Sequence, residues 1–401
     1  MGLRVWAPET AFPGLLAVSG LLFAAVLPPC QAPDENKHFL RAYHVSEGHL
    51  SPETTEAGWL GGDLPESVGR VSEASKALRF RSNEKVDLAA LRALASDRLD
   101  PGRRRPTSFE GAEANLAAGY LPQAAAIALG RLVGLNPLAL SYAARLANLA
   151  LAAVALAVAL RLAPAGKLVL GMVALLPVTV QQVSSASPDA SIISASFLLT
   201  ALVIRAAVLG VPPGWSLIAR SAAVVAWLSL CKLALAPLAL LCPGVPRRVL
   251  GSWFRYLAGV AVISAAVLLP TYPLIAEHSR RVPPGPRQDL PDRPLAPAEQ
   301  QQTLRKDPLA FLTALGHSWR EVPYLDHLFT LGWLDAEIPR PLAYPYAVLV
   351  LFVALASGSP VPLPRRLRAA ALAAVVVCLL VIFVAFYVFV TPPGDTIIRD
   401  V

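Results

Sequence analysis

Along the 401-residue chain, near-continuous apolar runs alternate with short charged connections. The runs cover residues 12–27, 138–160, 168–183, 190–207, 221–241, 253–270, 345–356 and 369–390. About 20 consecutive apolar residues match the hydrocarbon thickness of a bilayer, and such a stretch must be helical because hydrocarbon cannot satisfy an open backbone. Lys232 and Pro237 interrupt the run 221–241, which predicts a hairpin of two short spans with Lys232 near its outer tip. The pattern therefore predicts an all-α, polytopic membrane protein, a single integral membrane domain over residues 1–401 with about nine spans. No small-x-small cleavage site follows the first run, so it reads as an uncleaved signal-anchor. Residues 120–135 are short and carry Arg131, which suits a helix lying at the interface, with a short span as the alternative.

Charge orients this pattern. Arg161 with Lys167, Arg220, Arg247 with Arg248, and the cluster Arg365, Arg366 and Arg368 all fall on one side if the spans alternate. Basic loops stay cytoplasmic, so residues 29–118 and 271–341 become two large loops on the far side. In the first loop, helices are expected over 34–47 and 87–99. In the second, prolines 283, 284, 286, 291, 294 and 297 are expected to exclude regular structure, with a helix resuming near Thr303.

Composition agrees: 55% of residues are hydrophobic and only 15% charged, against about 25% charged in a soluble domain, and mean hydropathy is +0.54. The net charge of +8 is spread over the connections between spans, so it reads as topology and not as a nucleic-acid interface. Cys30, Cys231, Cys242 and Cys378 show no CxxC spacing and predict neither a disulfide scaffold nor a zinc ribbon. There is no phosphate-binding glycine loop, dinucleotide fingerprint, HExxH or GxSxG motif, which argues against a nucleotide-driven pump or a soluble-type hydrolase.

The candidate chemistry lies just beyond the first run, in Pro33-Asp34-Glu35-Asn36-Lys37-His38-Phe39-Leu40-Arg41. Two adjacent carboxylates at a membrane boundary could activate a hydroxyl or hold a divalent cation, and Lys37, His38 and Arg41 could meet a phosphate. The structural alternative is ordinary capping: Asp34 as N-cap, Glu35 in the first turn and Gly48 at the stop. Ser187-Pro188-Asp189 is likewise either a helix start or a site at a span end. Lys232 either snorkels to the interface or binds an anion. In the second loop, Arg320 lies among His317, Asp326 and His327 and the aromatics Trp319, Tyr324, Phe329 and Trp333, which suit an interfacial belt.

Five motifs in order, on this hydropathy profile, resemble a bacterial membrane-protein family called domain of unknown function 2142. They are Pro33-Asp34-Glu35-x-x-His38-Phe39-x-Arg41-Ala42, Ala144-Arg145-Leu146-Ala147-Asn148, Ser187-Pro188-Asp189-Ala190, Lys232, and Gly332-Trp333-Leu334-Asp335. That family looks like a branch of the GT-C glycosyltransferases, so the resemblance implies a GT-C-like enzyme of the bacterial plasma membrane. Such an enzyme moves a sugar from a polyprenyl-phosphate carrier to a cell-envelope acceptor at the outer face, with membrane lipid around it. Asp34, or the pair Asp34 and Glu35, would occupy the position of the catalytic acid, as general base or as ligand of a divalent cation. His38, Arg41, Asp189, Lys232 and Arg320 are the candidates for substrate binding. The alternatives are a non-catalytic transporter or flippase for lipid-linked saccharides and an assembly subunit. The resemblance also implies that the chain continues past Val401 into a Gln-Gly-Arg-Tyr motif and further spans.

Overall fold

The structure, a computed structural model, describes residues 7–54, 60–109, 111–112, 115–209, 214–281, 295–322, 324–356 and 363–398, with the backbone alone at 270–281 and 324–325. Val401 and the prolines at 283–294 lie outside the described residues.

Helix α1 (Pro8–Val26) ends at Pro28-Pro29, and α2 (Glu35–Ser46) follows at once. A layer of short elements then covers that end of the bundle: β1 (Glu53–Thr54), β2 (Leu60–Pro65), α3 (Glu66–Glu73), α4 (Leu88–Ser96), β3 (Arg104–Ser108) and α5 (Leu121–Leu132). The strands form an antiparallel sheet in the order β1-β2-β3, with Gly61 opposite Ser108 and Pro65 opposite Arg104. This sheet corrects the all-α expectation. Strand β2, Leu-Gly-Gly-Asp-Leu-Pro, lacks the β-branched run that marks a strand in sequence. It pairs because Gly61 lets the Thr107 carbonyl approach to where a side chain would otherwise stand. Phe39, Tyr43, Leu64, Val68, Phe109, Tyr120 and Ile127 fill the core beneath the layer.

The long helices α6 (Pro137–Leu162), α9 (Asp189–Leu209) and α10 (Gly214–Cys231) follow, with the short α7 (Lys167–Ala174) and α8 (Pro177–Val183) between the first two. After them come α11 (Arg247–Leu250), α12 (Trp253–Arg281), α13 (Pro297–Lys306), α14 (Pro308–Glu321) and α15 (Tyr324–His327). The hairpin β4 (Thr330–Leu331) and β5 (Ala336–Glu337) precedes α16 (Arg340–Ala356) and α17 (Arg365–Phe389). Helix α1 packs on α6, α7 and α8, α6 on α9, α9 on α10, and α10 on α12.

Among the described residues, five helices are long and apolar enough to cross a membrane: α1, α6, α9, α10 and α17. The other stretches expected to span are shorter or broken there. The run 168–183 divides into α7 and α8 at Pro177, which has no N–H to continue a helix. The second arm of the hairpin at Lys232 is the 3-10 segment Leu233–Gly244, where Pro237 and Pro243 remove the donors an α-helix would use. Pro297 does not exclude structure. It opens α13 at the first turn, where a missing N–H costs nothing. Leu15, Val18, Leu21 and Leu22 of α1, and Val348, Leu351 and Phe352 of α16, are exposed, and such apolar faces suit contact with lipid.

Candidate functional site

The site is built on the sharp turn between α1 and α2. Asp34 precedes α2 in the left-handed region, at φ 53°, and its side chain makes no capping bond. The capping role expected of it is therefore absent: an N-cap side chain reaches the first turn from an extended backbone. The carboxylate is half-exposed instead, with Oδ1 3.7 Å from Lys37 Nζ.

Glu35, its neighbour, faces the interior. Its carboxylate takes two hydrogen bonds from Arg145, from Nε and from Nη2, each 2.7 Å. It also accepts the Ala186 N–H at 2.8 Å and the Ala32 N–H at 3.4 Å. The remaining guanidinium hydrogens of Arg145 go to the carbonyls of Ala24, Leu27 and Pro28. One buried ion pair thus joins the end of α1, the start of α2, α6 and the turn before α9. The geometry turns Asp34 and Glu35 in different directions, one to solvent and one to protein donors.

The turn before α9 is held from below by Asn148 Nδ2, which donates to the carbonyls of Ser185 and Ser187 at 2.7 and 2.9 Å, and by Gln123 Nε2, which donates to Ser187 O at 2.9 Å. Asp189 accordingly opens α9 with its backbone N–H on Ser187 Oγ at 3.2 Å, and its Oδ1 lies 4.0 Å from Lys232 Nζ. Gly119 makes this approach possible. A Cβ there would meet the Pro188 Cβ at 2.8 Å and the Cys231 Cβ at 3.6 Å, so a larger residue would push the start of α9 and the end of α10 apart.

His38, on α2, links the two pairs. Burial is the main cause holding its pKa below the usual histidine range. Asp189 and Asp34 favour its charged form, and Lys232 and Lys37 oppose it. Its Nδ1 lies 2.7 Å from the Tyr120 hydroxyl, which in turn donates to Ala112 O at 3.2 Å. Asp34, His38, Asp189 and Lys232, four of the residues singled out in the sequence, are thus brought together.

Arg41 and Arg320 are not. Arg41 is fully buried and donates to His44 Nδ1 at 2.8 Å, His49 O at 3.0 Å and Leu50 O at 2.5 Å, at the C-terminal end of α2. Arg320 is exposed on α14, which packs on α13 and α17. From the second loop, Gly332 docks on the Gln181 side chain, donating N–H at 2.8 Å and accepting at 3.1 Å, while Arg79 stacks on the Trp333 ring at 4.0 Å. Tyr120, Gln123 and Gln181 were not anticipated from sequence. Arg145 and Asn148 stood in a motif without a role, although an arginine inside an apolar run is itself a signal.

Chemically, the group offers two carboxylates with open faces, each beside an ammonium, around a neutral imidazole. Such a set can take a proton from a hydroxyl and hold an anion beside it. No curated protein and no solved structure matches the chain. A family model described as a predicted membrane protein (DUF2142) matches residues 17–401. The motifs that carry this likeness are the ones that build the buried pair, the turn before α9 and the Lys232 contact, and the chain belongs to that family of predicted membrane proteins.

Proposed function

We propose that the protein is a GT-C-like glycosyltransferase that moves a sugar from a polyprenyl-phosphate carrier to a cell-envelope acceptor, with the end of the bundle that carries α2 on the outer side of the membrane. The observation that carries this reading is the convergence of Asp34, Lys37, His38, Asp189 and Lys232 at one end of an apolar bundle. Asp34 acts as general base. It takes the proton of the acceptor hydroxyl as that oxygen bonds to the anomeric carbon. The bond from that carbon to the carrier phosphate breaks, and the phosphate leaves with the electron pair and inversion of configuration. Lys232 and Lys37 neutralise the charge that grows on the phosphate. Glu35 positions: its pair with Arg145 fixes the turn from which Asp34 projects. The test is transfer of a radiolabelled sugar from a polyprenyl-phosphate donor to envelope acceptors by membranes containing the protein. No transfer from any such donor, with the protein folded, would overturn the reading.

A transporter for lipid-linked saccharides is the second reading, favoured by the break between α7 and α8 and by the 3-10 segment, since interrupted helices line transporter sites. Movement of an intact lipid-linked saccharide across vesicles, without sugar transfer, selects it.

A further inference from the structure

A second polar pocket lies at the other end of α2. Its cavity of ≈ 550 Å³ is lined by His44, Ser46, Glu47, His49, Glu53, Asp63, Arg104 and Arg131, from α2, the three strands and α5. His44 is 1% exposed, and its Nε2 has no hydrogen-bond partner.

His44, His49 and Glu53 place their ligand atoms within 4.8 Å of one another, which invites a metal ion. Two facts oppose one. Arg41 Nη1 stands 2.8 Å from His44 Nδ1, and a guanidinium can only donate. Nδ1 therefore keeps its lone pair, and Nε2 carries the proton of the neutral ring, where a metal would need a lone pair. The His44 and His49 rings also stack, 4.6 Å apart and 16° from parallel, so their in-plane lone pairs do not converge.

Nε2–H is thus a buried donor on the cavity wall that makes no hydrogen bond, with Glu53 Oε1 3.7 Å away. Around it, carboxylates and guanidinium groups nearly balance: Arg104 grips Glu47 at 3.1 and 2.7 Å and lies 3.5 Å from Asp63 Oδ2, Arg131 lies 3.4 Å from Glu47, and His49 Nδ1 lies 2.9 Å from Glu53 Oε1, so that Glu53 and Asp63 each keep lone pairs for a further donor. A strongly anionic ligand would meet three carboxylates, and an apolar one would find no apolar wall. A ligand that both donates and accepts without net charge fits. We infer that this pocket binds a neutral saccharide, its hydroxyl oxygens accepting from His44 and its hydroxyl hydrogens going to Glu53 and Asp63. The inference does not depend on the transferase reading, because binding here needs neither Asp34 nor Lys232.

The test is isothermal titration calorimetry on the detergent-solubilised full chain, with glucose, galactose, mannose, rhamnose and N-acetylglucosamine as probes, and with zinc chloride and inorganic phosphate in parallel. At least one neutral sugar is expected to bind. Glu53→Gln and His49→Gln, both at half-exposed positions, are expected to weaken binding about tenfold or more. The inference is overturned if no sugar binds, if binding survives both pocket variants, or if zinc alone binds and is lost in those variants.

Discussion

Glu35 and Arg145 meet in a two-pronged ion pair at 2.7 Å, buried on both sides, and the end of α1, the start of α2, α6 and the turn before α9 are tied to it. Removing one partner strands the other charge in a low-dielectric interior. Glu35→Gln or Arg145→Met is expected to cost about 3 to 5 kcal/mol, read as a lowered unfolding temperature in detergent. The double variant is expected to cost less than the sum of the two, because each single change already abolishes the shared pair. Additive losses would show that the two residues act separately.

Asp34 behaves in the opposite way. Its side chain caps nothing, and asparagine tolerates the left-handed region as well as aspartate does. Asp34→Asn is expected to leave stability within about 0.5 kcal/mol and to lower sugar transfer by about 10²- to 10⁴-fold, the usual contribution of a general base. A stable variant with near-normal transfer would remove Asp34 from the mechanism.

Lys232 is expected to act on the phosphate. Lys232→Met should raise the KM for the polyprenyl-phosphate donor about tenfold or more, the scale of one hydrogen bond to a charged group, with a smaller change in KM for the acceptor. Equal effects on both substrates would assign Lys232 to holding Asp189 in place.

Histidine burial makes the protein sensitive to acid. Burial, then the charge of Arg41 and the neighbouring His49 and Arg104, hold the His44 pKa down to about 3, against an ordinary value of 6.5. Above pH 6.5 the ring is neutral folded or unfolded, so it adds no pH dependence. Between pH 6.5 and 3 the unfolded chain takes up a proton that the folded chain refuses, so stability falls as pH falls, by at most about 1.4 kcal/mol per pH unit for one group. His38 shifts in the same direction. The slope of unfolding free energy below pH 6.5 is expected to flatten in His44→Gln, and an unchanged slope would contradict the assignment.

Sidedness is tested at Ser82, which is exposed in the layer over α2. With the native thiols of Cys30, Cys231 and Cys378 buried and the half-buried Cys242 replaced by alanine, Ser82→Cys is expected to react with a membrane-impermeant maleimide in intact cells. Reaction only after permeabilisation would invert the topology.

Much of this architecture was legible because hydrophobicity is summed over many residues. Helices α1, α6, α9 and α17 follow their apolar runs, and Gly48, in the left-handed region at φ 95°, stands just past α2 as its position suggested. The carboxylates at 34 and 35 could not be told apart in the same way. Their difference rests on one left-handed residue and on a guanidinium 110 positions away, neither of which a local pattern contains. Arg41 was misjudged as a site cation for a related reason. Charge is visible in a sequence, but the face of α2 on which it lies is decided by what packs there. The β1-β2-β3 sheet stayed hidden because its central strand relies on two glycines and not on β propensity.

The separation of Glu35 from its partners also sets an order of events while the chain is being made. Arg145 is added 110 residues after Glu35, and the Ala186 N–H 151 residues after it. At about 5 to 20 residues per second, roughly 5 to 30 s pass between synthesis of that carboxylate and arrival of the groups that bury it. During that interval Glu35 lacks the Arg145 and Ala186 donors that bury it, and the turn carrying Asp34 lacks the contacts that fix it. The geometry of the candidate site is therefore a late product of biogenesis, completed only when the segments bearing Arg145 and Ala186 have been laid down beside the first helix.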